Sequence, residues 1–325
     1  MTDSRELSTG MKYPRALLTG ATGFLGGHLA RRLAADGWEV HAVVRRPDGD
    51  PLVRALAARA RTHRHDGSTD GLARIVADAG PAIVFHLASR FVAEHGDADV
   101  EPLVRDNVVF GAQLLDAMRA AGATRLVHAG SAWRHFADRA YSPVNLYAAT
   151  KQAFLDLLAY YVEGHAFRAV TLDLTDSYGT GDPRPKLIPA LLAAERDGRA
   201  LSMVRADRPL DLVHVNDATG AFVIAARRVL EMSGAGHEVF AVRSGAPITM
   251  RELFAAWERA RGVVLTAKWG ERPLRTREAT APWTEGTPLP GWAPSVSLEA
   301  GLRSLEAAAA ESGDRPPTTD NRPRP

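Results

Sequence analysis

The sequence contains no cysteine, and lysine is scarce: only Lys12, Lys151, Lys186 and Lys268 occur among 40 basic residues. The absence of cysteine excludes disulfides, cysteine-ligated zinc, iron–sulfur clusters and cysteine nucleophiles. No apolar run approaches the ~18–20 residues of a membrane span, and residues 1–12 lack the apolar segment of a signal peptide. We therefore expect a cytoplasmic protein whose chemistry is carried by other side chains.

Neither sign of charge is in excess, since 40 basic and 38 acidic side chains leave a net charge of +2. The arginines are interspersed with acidic residues, so the sequence lacks the basic footprint of a nucleic-acid-binding protein. His63, His65 and His135 show no metal-ligand spacing, and we expect no metal site. The hydrophobic share of 46% is typical of a globular protein and argues against disorder, collagen or coiled coil as the main architecture.

Short apolar runs alternate with longer amphipathic stretches as far as about residue 180. This alternation predicts βαβ units, and therefore an α/β fold with a parallel sheet covered on both faces. The predicted strands are 16–18, 40–44, 82–87, 126–128 and 169–174, and the predicted helices are 26–35, 108–121 and 147–161.

The pattern changes over residues 181–310, which we interpret mainly as a substrate-binding lobe interleaved with the last elements of the large domain. The length of the chain supports this division, because one hydrophobic core rarely serves more than roughly 250–300 residues. The elements predicted here are helices over 186–196, 218–231 and 250–261 and strands over 210–215 and 237–242. Residues 1–12 and 311–325 are expected to be a disordered leader and tail.

A G-x-x-G-x-x-G loop lies between the first predicted strand and the first predicted helix. Gly20 is expected to permit a tight turn, Gly23 to let backbone N–H groups approach a pyrophosphate, and Gly26 to let the helix pack closely. The helix N-terminus attracts the same anion. Residues 13–180 are therefore predicted to be a Rossmann-type, doubly wound dinucleotide-binding domain. The contacts expected from the loop are Gly20, Thr22, Gly23, Phe24, Leu25 and Gly26.

The second strand ends at Arg45 and Arg46, where an NAD site usually has an acidic residue for the ribose hydroxyls. A guanidinium pairs well with the 2′-phosphate of NADP, so the sequence favours NADPH. Asp48 and Asp50 follow closely, and NAD stays open as the alternative. Further cofactor contacts are expected at the ends of the third and fourth strands: Asp66, Gly67, Leu87, Ala88 and Ser89.

Tyr147 and Lys151 are four residues apart at the start of a predicted helix, and this spacing puts both on one face. A phenol titrates near pH ~10, and an ammonium one turn away is expected to lower that pKa. The lysine can also hold a nicotinamide ribose, while the tyrosine donates a proton to a carbonyl oxygen. Ser131 follows the fifth strand at the ligand-binding edge of the sheet and can bond the same oxygen.

These segments resemble the extended short-chain dehydrogenases/reductases, the NAD(P)-dependent sugar epimerase/dehydratase family. The resemblance covers about residues 14–308 and also rests on HLAS at 86–89, Asn107, SYG at 177–179 and PGWAP at 290–294. It implies that Ser131, Tyr147 and Lys151 form the catalytic set and that nucleotide-linked sugars are the substrates. It also implies that Asn107 and Thr175 belong to the cofactor site, and that the chain forms a homodimer without nucleic-acid or membrane partners.

Three reactions of this family can be distinguished. Its 4,6-dehydratases usually have Asp-Glu after the catalytic hydroxyl, whereas Ala132 and Trp133 stand here, which makes dehydration the least favoured. Its 4-epimerases retain NAD and need only the serine, tyrosine and lysine, so they stay open. Its 4-ketoreductases consume NADPH, which Arg45 and Arg46 favour. A non-enzymatic NADP sensor is a further alternative, although such sensors commonly lose the tyrosine and lysine.

Residues 130–136, 141–154, 173–186 and 210–217 resemble the branch of reductases that make CDP-abequose and related deoxysugars. These enzymes reduce the C4 ketone of a nucleotide-linked 4-keto-6-deoxyhexose. The Arg- and Ala-rich composition is typical of GC-rich genomes, and actinobacterial antibiotic pathways often use dTDP-sugars. The resemblance therefore implies reduction of a dTDP-linked sugar in deoxysugar biosynthesis.

Two positions depart from the pattern of the family. Asp176 stands where many members have asparagine beside the sugar phosphates, and Leu210 stands where an arginine is common. We expect Asp176 to bind a sugar hydroxyl or a backbone N–H, and Arg205, Arg208, Arg272 or Lys186 to replace the missing arginine. The substrate contacts expected are Ser89, Ser131, Ala132, Trp133, Tyr147, Asp176, Lys186, Arg208 and Arg272.

Overall fold

The computed structural model describes residues 14–278 and 281–305, so the predicted leader (1–12) and tail (311–325) lie outside the described residues. Within those two ranges, no helix combines the length and the apolar character needed to span a bilayer. The strands are β1 (Arg15–Thr19), β2 (Glu39–Val44), β3 (Arg61–Arg64), β4 (Ile83–His86), β5 (Arg125–Ala129), β6 (Arg168–Leu174), β7 (Asp176–Tyr178), β8 (Leu201–Met203), β9 (Pro209–Leu210), β10 (Leu212–His214), β11 (Gly236–Val242), β12 (Ile248–Thr249) and β13 (Ala267–Trp269). The α-helices are α1 (Phe24–Ala35), α2 (Pro51–Ala57), α3 (Thr69–Ala79), α4 (Asp97–Val104), α5 (Phe110–Ala120), α6 (Leu146–His165), α7 (Leu187–Asp197), α8 (Val215–Glu231), α9 (Met250–Arg261) and α10 (Leu298–Arg303).

Seven parallel strands form the main sheet, in the order β11-β6-β5-β4-β1-β2-β3. The strand order reverses between β1 and β4, where open parallel sheets bind their ligands outside the carboxyl ends of the strands. The structure thus confirms the predicted α/β, Rossmann-type sheet. The glycine loop, residues 87–89 and Ser131 follow β1, β4 and β5 and therefore meet at one edge.

Both faces of the main sheet are buried, which explains the apolar runs of its central strands. Leu18, Phe85 and Val127 contribute to the core on one face, together with residues of α1 and α8. Leu17, Val84 and Leu126 contribute to the core on the other face, together with residues of α3, α5 and α6. Successive side chains of a strand point to opposite faces, so each strand serves both cores.

A third hydrophobic core surrounds Trp257, which is fully buried in α9. We call the elements that form this core the smaller lobe. Helices α7 and α10 contribute to the same core, and three two-stranded sheets pair β7 with β10, β8 with β13 and β9 with β12. Between these elements the chain returns to the large domain, because α8 packs on the main sheet and β11 forms its edge.

The single strand expected over residues 210–215 is wrong. The structure divides this segment into β9 and β10, which pair with different partners, and α8 already begins at Val215. Asp211 lies at the break between the two strands, where its carboxylate accepts hydrogen bonds from the backbone of Ser244 (2.8 Å) and the hydroxyl of Thr175 (3.4 Å). An apolar pattern cannot reveal this change of pairing, since both pieces bury leucine or valine.

A π-helical turn, Arg105–Val109, connects α4 to α5 and extends the predicted helix toward the N-terminus. Such wide turns occur frequently at functional sites because they change where a side chain points. Asn107 lies in this turn and is almost fully buried. Its position follows from backbone geometry that the apolar periodicity does not encode.

Candidate active site

The glycine loop brings open backbone N–H groups to the N-terminus of α1. Gly20 has φ +78°, and a Cβ there would lie 2.6 Å from the backbone nitrogen of Ala88, so a larger residue cannot take its place. A Cβ on Gly26 would lie 2.1 Å from the carbonyl oxygen of Gly20. Gly23 is the N-cap of α1, and no side chain bonds its first turn. The loop therefore fits a dinucleotide pyrophosphate at a helix N-terminus.

The two arginines after β2 are exposed, and each contacts a carboxylate. Arg45 donates to Asp106 at 2.9 Å, and Arg46 donates to Asp50 at 2.7 Å. Asp106 also accepts from Arg90 at 3.0 Å, so it keeps a cationic partner when Arg45 turns elsewhere. Both guanidinium groups thus lie at the end of β2, and each is paired with a carboxylate. Their contact with the 2′-phosphate of NADP stays a prediction.

The remaining predicted cofactor residues lie along the same edge of the sheet. Asp66 accepts hydrogen bonds from Ser68, which hold the pKa of its carboxyl below the usual value. Leu87 and Ala88 bond through their backbone nitrogens to Thr19 on β1, and Gly67 accepts from Gln113. Thr175 bonds Val242 and Asp211 and lies where β6 ends.

Ser131 and Tyr147 come together at the carboxyl end of β5. The Ser131 backbone nitrogen donates to Asp173 (2.9 Å), and its Oγ accepts from the backbone nitrogen of Trp133 (3.2 Å). The side chains of Ser131 and Ser89 lie close enough to the Tyr147 phenol to act against the rise of its pKa. Two hydroxyls therefore converge on the phenol, which is the arrangement expected of a carbonyl-binding site.

Lys151 is almost fully buried one turn along α6 and donates to the carbonyl oxygen of Ala129 at 2.8 Å. Its Nζ lies 5.9 Å from the centroid of the Tyr147 ring. Burial lowers the pKa of Lys151 to about 8, with the Asp173 carboxylate acting in the opposite direction. Burial likewise raises the pKa of Tyr147 to about 12, against the hydrogen bonds of Ser131 and Ser89.

The expectation that Lys151 lowers the pKa of the phenol is therefore wrong for the protein alone. The physical reason is that removing the phenol from water disfavours its charged form, and this outweighs the nearby hydroxyls. At neutral pH Tyr147 is consequently protonated and ready to donate.

Two asparagines fix the start of α6. Asn145 caps the helix by accepting from the backbone of Ala148 (2.9 Å), and its amide donates to the carbonyls of Val92 and Ala93 after β4. Asn107 accepts from the backbone of Arg90 and from Ser89 and donates to Thr150 and the Arg90 carbonyl. All the hydrogen-bonding groups of Asn107 thus bond protein, so this residue supports the site from behind.

A cavity of about 480 Å³ opens beside these residues and extends into the smaller lobe. Five of the nine predicted substrate contacts line it: Trp133, Asp176, Lys186, Arg208 and Arg272. Leu210 also lines the cavity, whereas Arg205 pairs with Asp207 on the surface. Ser89 and Ser131 lie beside the Tyr147 phenol, as described above. Ala132 follows Ser131 and is the first residue of a 3-10 turn, Ala132–Arg134.

Basic and acidic side chains alternate around the cavity. Lys186 donates to Asp176 at 3.0 Å, and Arg208 contacts Glu278 at 2.5 Å. Burial alone would raise the pKa of the Asp176 carboxyl, but Lys186, Arg208 and Arg184 hold it below its usual value. Asp176 is therefore a carboxylate paired with Lys186 in the cavity wall, and its expected contact with a sugar hydroxyl stays a prediction.

Sequence reasoning missed Phe91, Arg275 and Glu278. The Phe91 ring meets the rings of Trp133 (5.4 Å) and Tyr147 (5.0 Å) edge-on and so joins the cavity to the phenol. Arg275 lies 5.7 Å from the centroid of Trp133 and 3.5 Å from the Glu278 carboxylate. These residues lie in irregular segments, where no periodicity marks a side chain as buried.

Comparisons with known proteins find relatives with different printed activities. The CDP-abequose synthase of Salmonella muenchen is 23% identical over 295 residues, which cover 90% of this chain and 96% of that protein. The UDP-glucose 4-epimerase of Mycolicibacterium smegmatis is 27% identical over 311 residues, covering 89% and 96%. A CDP-abequose synthase and a UDP-glucose 4-epimerase thus resemble this chain to a similar degree.

Solved structures show the same fold. A UDP-glucose 4-epimerase of Stenotrophomonas maltophila, with bound NAD and formylated UDP-arabinopyranose, superposes with a TM-score of 0.81 at 19% identity. The match covers 90% of this chain and 96% of that one. A family model described as the NAD dependent epimerase/dehydratase family matches residues 16–239, which is more than half of the chain. The chain belongs to this family.

Proposed function

We propose that this member of the NAD-dependent epimerase/dehydratase family reduces the C4 ketone of a nucleotide-linked 4-keto-6-deoxyhexose. NADPH is the proposed reductant and dTDP the proposed nucleotide. The observation that carries the proposal is the placement of Ser131, Tyr147 and Lys151 at the ligand-binding edge of the sheet, beside a cavity lined with basic side chains. Ala132 and Trp133 follow Ser131 and supply no carboxylate for an elimination of water.

The chain's own residues can position both reactants. The glycine loop and the N-terminus of α1 would hold the pyrophosphate, and Lys151 would hold the nicotinamide ribose. When bound, NADPH supplies the hydride. Tyr147 donates its proton to the ketone oxygen, and Ser131 donates a hydrogen bond to that oxygen as charge develops on it.

Tyr147 is the proposed proton donor of this reduction. Removal from water raises the pKa of its phenol, so the side chain carries its proton at neutral pH. A 4-epimerase would use the same side chain, so the preference for a reductase rests on Arg45 and Arg46 rather than on Tyr147.

The walls near the phenol support a deoxysugar. Phe91 and Trp133 present aromatic surface beside Tyr147, and the indole N–H of Trp133 is the one hydrogen-bonding group of the two rings. A buried hydroxyl without a hydrogen-bond partner loses free energy relative to water. A sugar with a methyl group in place of one hydroxyl therefore fits this end of the cavity better.

Basic side chains in the wall of the cavity support an anionic carrier. Lys186, Arg208 and Arg272 line the cavity, and Arg272 is exposed. Arginine binds phosphate oxygens with two parallel hydrogen bonds. Arg272 is therefore the first candidate to bind a diphosphate. Arg208 and Lys186 would bind the diphosphate in addition to their partners Glu278 and Asp176.

The decisive experiment mixes the purified protein with NADPH and a dTDP-4-keto-6-deoxyhexose and follows the loss of reduced-nicotinamide absorbance. We expect NADPH consumption with wild type, and strongly reduced consumption with Tyr147→Phe. The matching CDP-linked sugar tests the nucleotide. If neither NADPH nor NADH is consumed across several 4-keto sugars, the proposal is wrong.

A nucleotide-sugar 4-epimerase is the second candidate, because the Mycolicibacterium smegmatis epimerase is 27% identical over 89% of this chain. This candidate expects NAD to remain bound through purification and UDP-sugars to interconvert without net oxidation or reduction. Sugar analysis after incubation without added cofactor separates the two functions. NADPH binding without any turnover would instead favour a sensor.

A further inference from the structure

The carboxylate of Asp173 is fully buried near the carboxyl end of β6, directly behind Ser131. Its Oδ1 accepts from the backbone nitrogen of Ser131 at 2.9 Å and from Arg134 Nε at 3.3 Å. Its Oδ2 accepts from Arg134 Nη2 and bonds His135 Nε2 at 3.2 Å. A carboxylate in an apolar strand is stable only with such partners, and here most of them come from the loop that carries Ser131.

Arg134 extends this contact to the helix that carries Tyr147 and Lys151. The guanidinium is almost fully buried, and its Nη1 donates to Gln152 Oε1 at 2.5 Å. Gln152 directly follows Lys151 in α6. Asp173 and Arg134 therefore join β6, the loop after β5 and α6, and the last two of these elements carry the three predicted catalytic side chains.

Gly130 shows that the contact is built into the backbone. A Cβ at this position would lie 2.2 Å from Asp173 Oδ1 and 2.7 Å from Thr171 Cγ2. Any larger residue would push the carboxylate away from the Ser131 nitrogen. On the outer side, the His135 ring stacks on Trp283 with centroids 4.1 Å apart and an interplanar angle of 4°. The carboxylate is thus enclosed from both sides.

We propose that Asp173 and Arg134 are a positioning pair that fixes the Ser131 backbone and sets the electrostatic field at Lys151 and Tyr147. Neither residue lines the 480 Å³ cavity, so both act through the side chains that do the chemistry. The inference rests on the proposed function for its catalytic consequence. Its structural and electrostatic content can be measured without a sugar substrate.

Asp173 and Arg134 carry opposite charges, so they shift the pKa of Lys151 in opposite directions. Burial is the main cause of the lowered pKa of Lys151; Asp173 raises that pKa and Arg134 lowers it. Asp173 also raises the pKa of Tyr147, adding to the larger effect of burial. Other ionisable groups near Lys151 and Asp173 are His86 on β4, His128 on β5, His135 in the loop and His237 on β11. Burial lowers the pKa of His86, His128 and His237, so these three are neutral above pH 7. Asp173 and Arg134 are then the charged groups that act on Lys151.

The test uses the scarcity of lysine. Selective ¹⁵N labelling of lysine side chains gives signals from only four residues, and Lys151→Met assigns the one of interest. We expect Lys151 to titrate at lower pH in Asp173→Asn than in wild type, and at higher pH in Arg134→Met. The double variant, which removes both charges, should return the titration close to that of wild type. Shifts of the same sign in both single variants, or no shift in either, would overturn the proposal.

A kinetic measurement completes the test. Asp173→Asn keeps an oxygen that accepts from Ser131 but removes the charge, so kcat should fall by about 10- to 100-fold while KM for the sugar changes little. A loss confined to KM would contradict a positioning role. If the single variants unfold, the double variant can still be compared with wild type, because removal of both charges leaves no unpaired buried charge. An inactive wild type would refute the proposed reaction, while the lysine titrations would still decide the role of the pair.

Discussion

The ammonium of Lys151 lies 5.9 Å from the ring centroid of Tyr147, but its hydrogen bond goes to the carbonyl oxygen of Ala129. The two side chains share a helix face without a direct bond between them. Burial therefore controls both proton affinities, lowering the pKa of Lys151 to about 8 and raising that of Tyr147 to about 12.

Removal of the phenol should abolish most turnover and leave cofactor binding unchanged. A positioned general acid contributes ~10²–10⁴-fold, so kcat of Tyr147→Phe should fall by that factor. Ser131→Ala should lose less, because it removes one of two hydroxyls near the phenol. Steady-state kinetics with NADPH titrations measure both effects. A fully active Tyr147→Phe enzyme would show that another group donates the proton.

The pH dependence should carry the signature of Lys151. Its folded-state pKa of about 8 lies below the ordinary value of 10.5, so the ammonium is lost as the pH rises through about 8. We expect kcat/KM for the cofactor, which reports the free enzyme, to fall above that pH. Tyr147 stays protonated throughout. Lys151→Arg retains its charge and should lack this alkaline decline, even at a lower rate; a decline that persists in this variant would point to another group.

Gly20→Ala should prevent cofactor binding. The new side chain would adopt φ +78° and lie 2.6 Å from the Ala88 backbone, and the left-handed conformation alone costs roughly 1–2 kcal/mol. Gly27→Ala is the matched control, since its Cβ would make ordinary contacts with the Ala21 carbonyl oxygen (3.4 Å) and the Arg31 side chain (4.0 Å). That variant should bind NADPH normally and unfold at the same or a higher temperature. Calorimetric titration and thermal unfolding measure both, and equal losses in the two variants would contradict the assignment of the loop.

Arg45→Ala and Arg46→Ala should reduce the preference for NADPH over NADH. A hydrogen bond to a charged group contributes about 1.5–3 kcal/mol, so the Kd for NADPH should rise roughly 10- to 100-fold while that for NADH stays constant. Arg105→Ala is the control, because Arg105 also contacts Asp106, at 3.6 Å, from the π-helical turn. If both cofactors weaken equally in the arginine variants, the 2′-phosphate is bound elsewhere.

The proposed homodimer should depend on the outer surface of α4, α6 and the π-helical turn. Val100, Val104, Val109 and Tyr160 expose large apolar side chains there, and α4 packs on α6. Val104→Arg should shift the protein from dimer to monomer in analytical ultracentrifugation. Val264→Arg, at an exposed valine after α9, should leave the dimer intact. A monomeric wild type would refute this interface.

Local patterns predict where much of the candidate site lies, while the roles of its residues stay predictions. The spacing of Gly20, Gly23 and Gly26 between a strand and a helix predicts the phosphate loop, because each role depends on neighbouring backbone. The spacing of Tyr147 and Lys151 likewise follows from helical geometry alone. The alternation of strands and helices predicts the parallel sheet, and the structure confirms it.

The sequence alone did not predict contacts between residues that are far apart along the chain. Arg134 and Asp173 are 39 positions apart, and Arg208 meets Glu278 across the smaller lobe. One signal was present, since Asp173 is a charged residue inside an apolar strand and must have a partner. The proton affinity of Tyr147 depends on how completely the fold buries it, which spacing does not encode. The break at Asp211 depends on two different strand partners in the same way.

Asn145 has a mechanical consequence. Its amide bonds the carbonyls of Val92 and Ala93 while its oxygen caps α6, so the segment carrying Phe91 and the helix carrying Tyr147 are tied together. The Phe91 ring also contacts the Tyr147 ring, with centroids 5.0 Å apart. The cavity wall and the phenol therefore form one mechanical unit, in which a displacement of one is transmitted to the other.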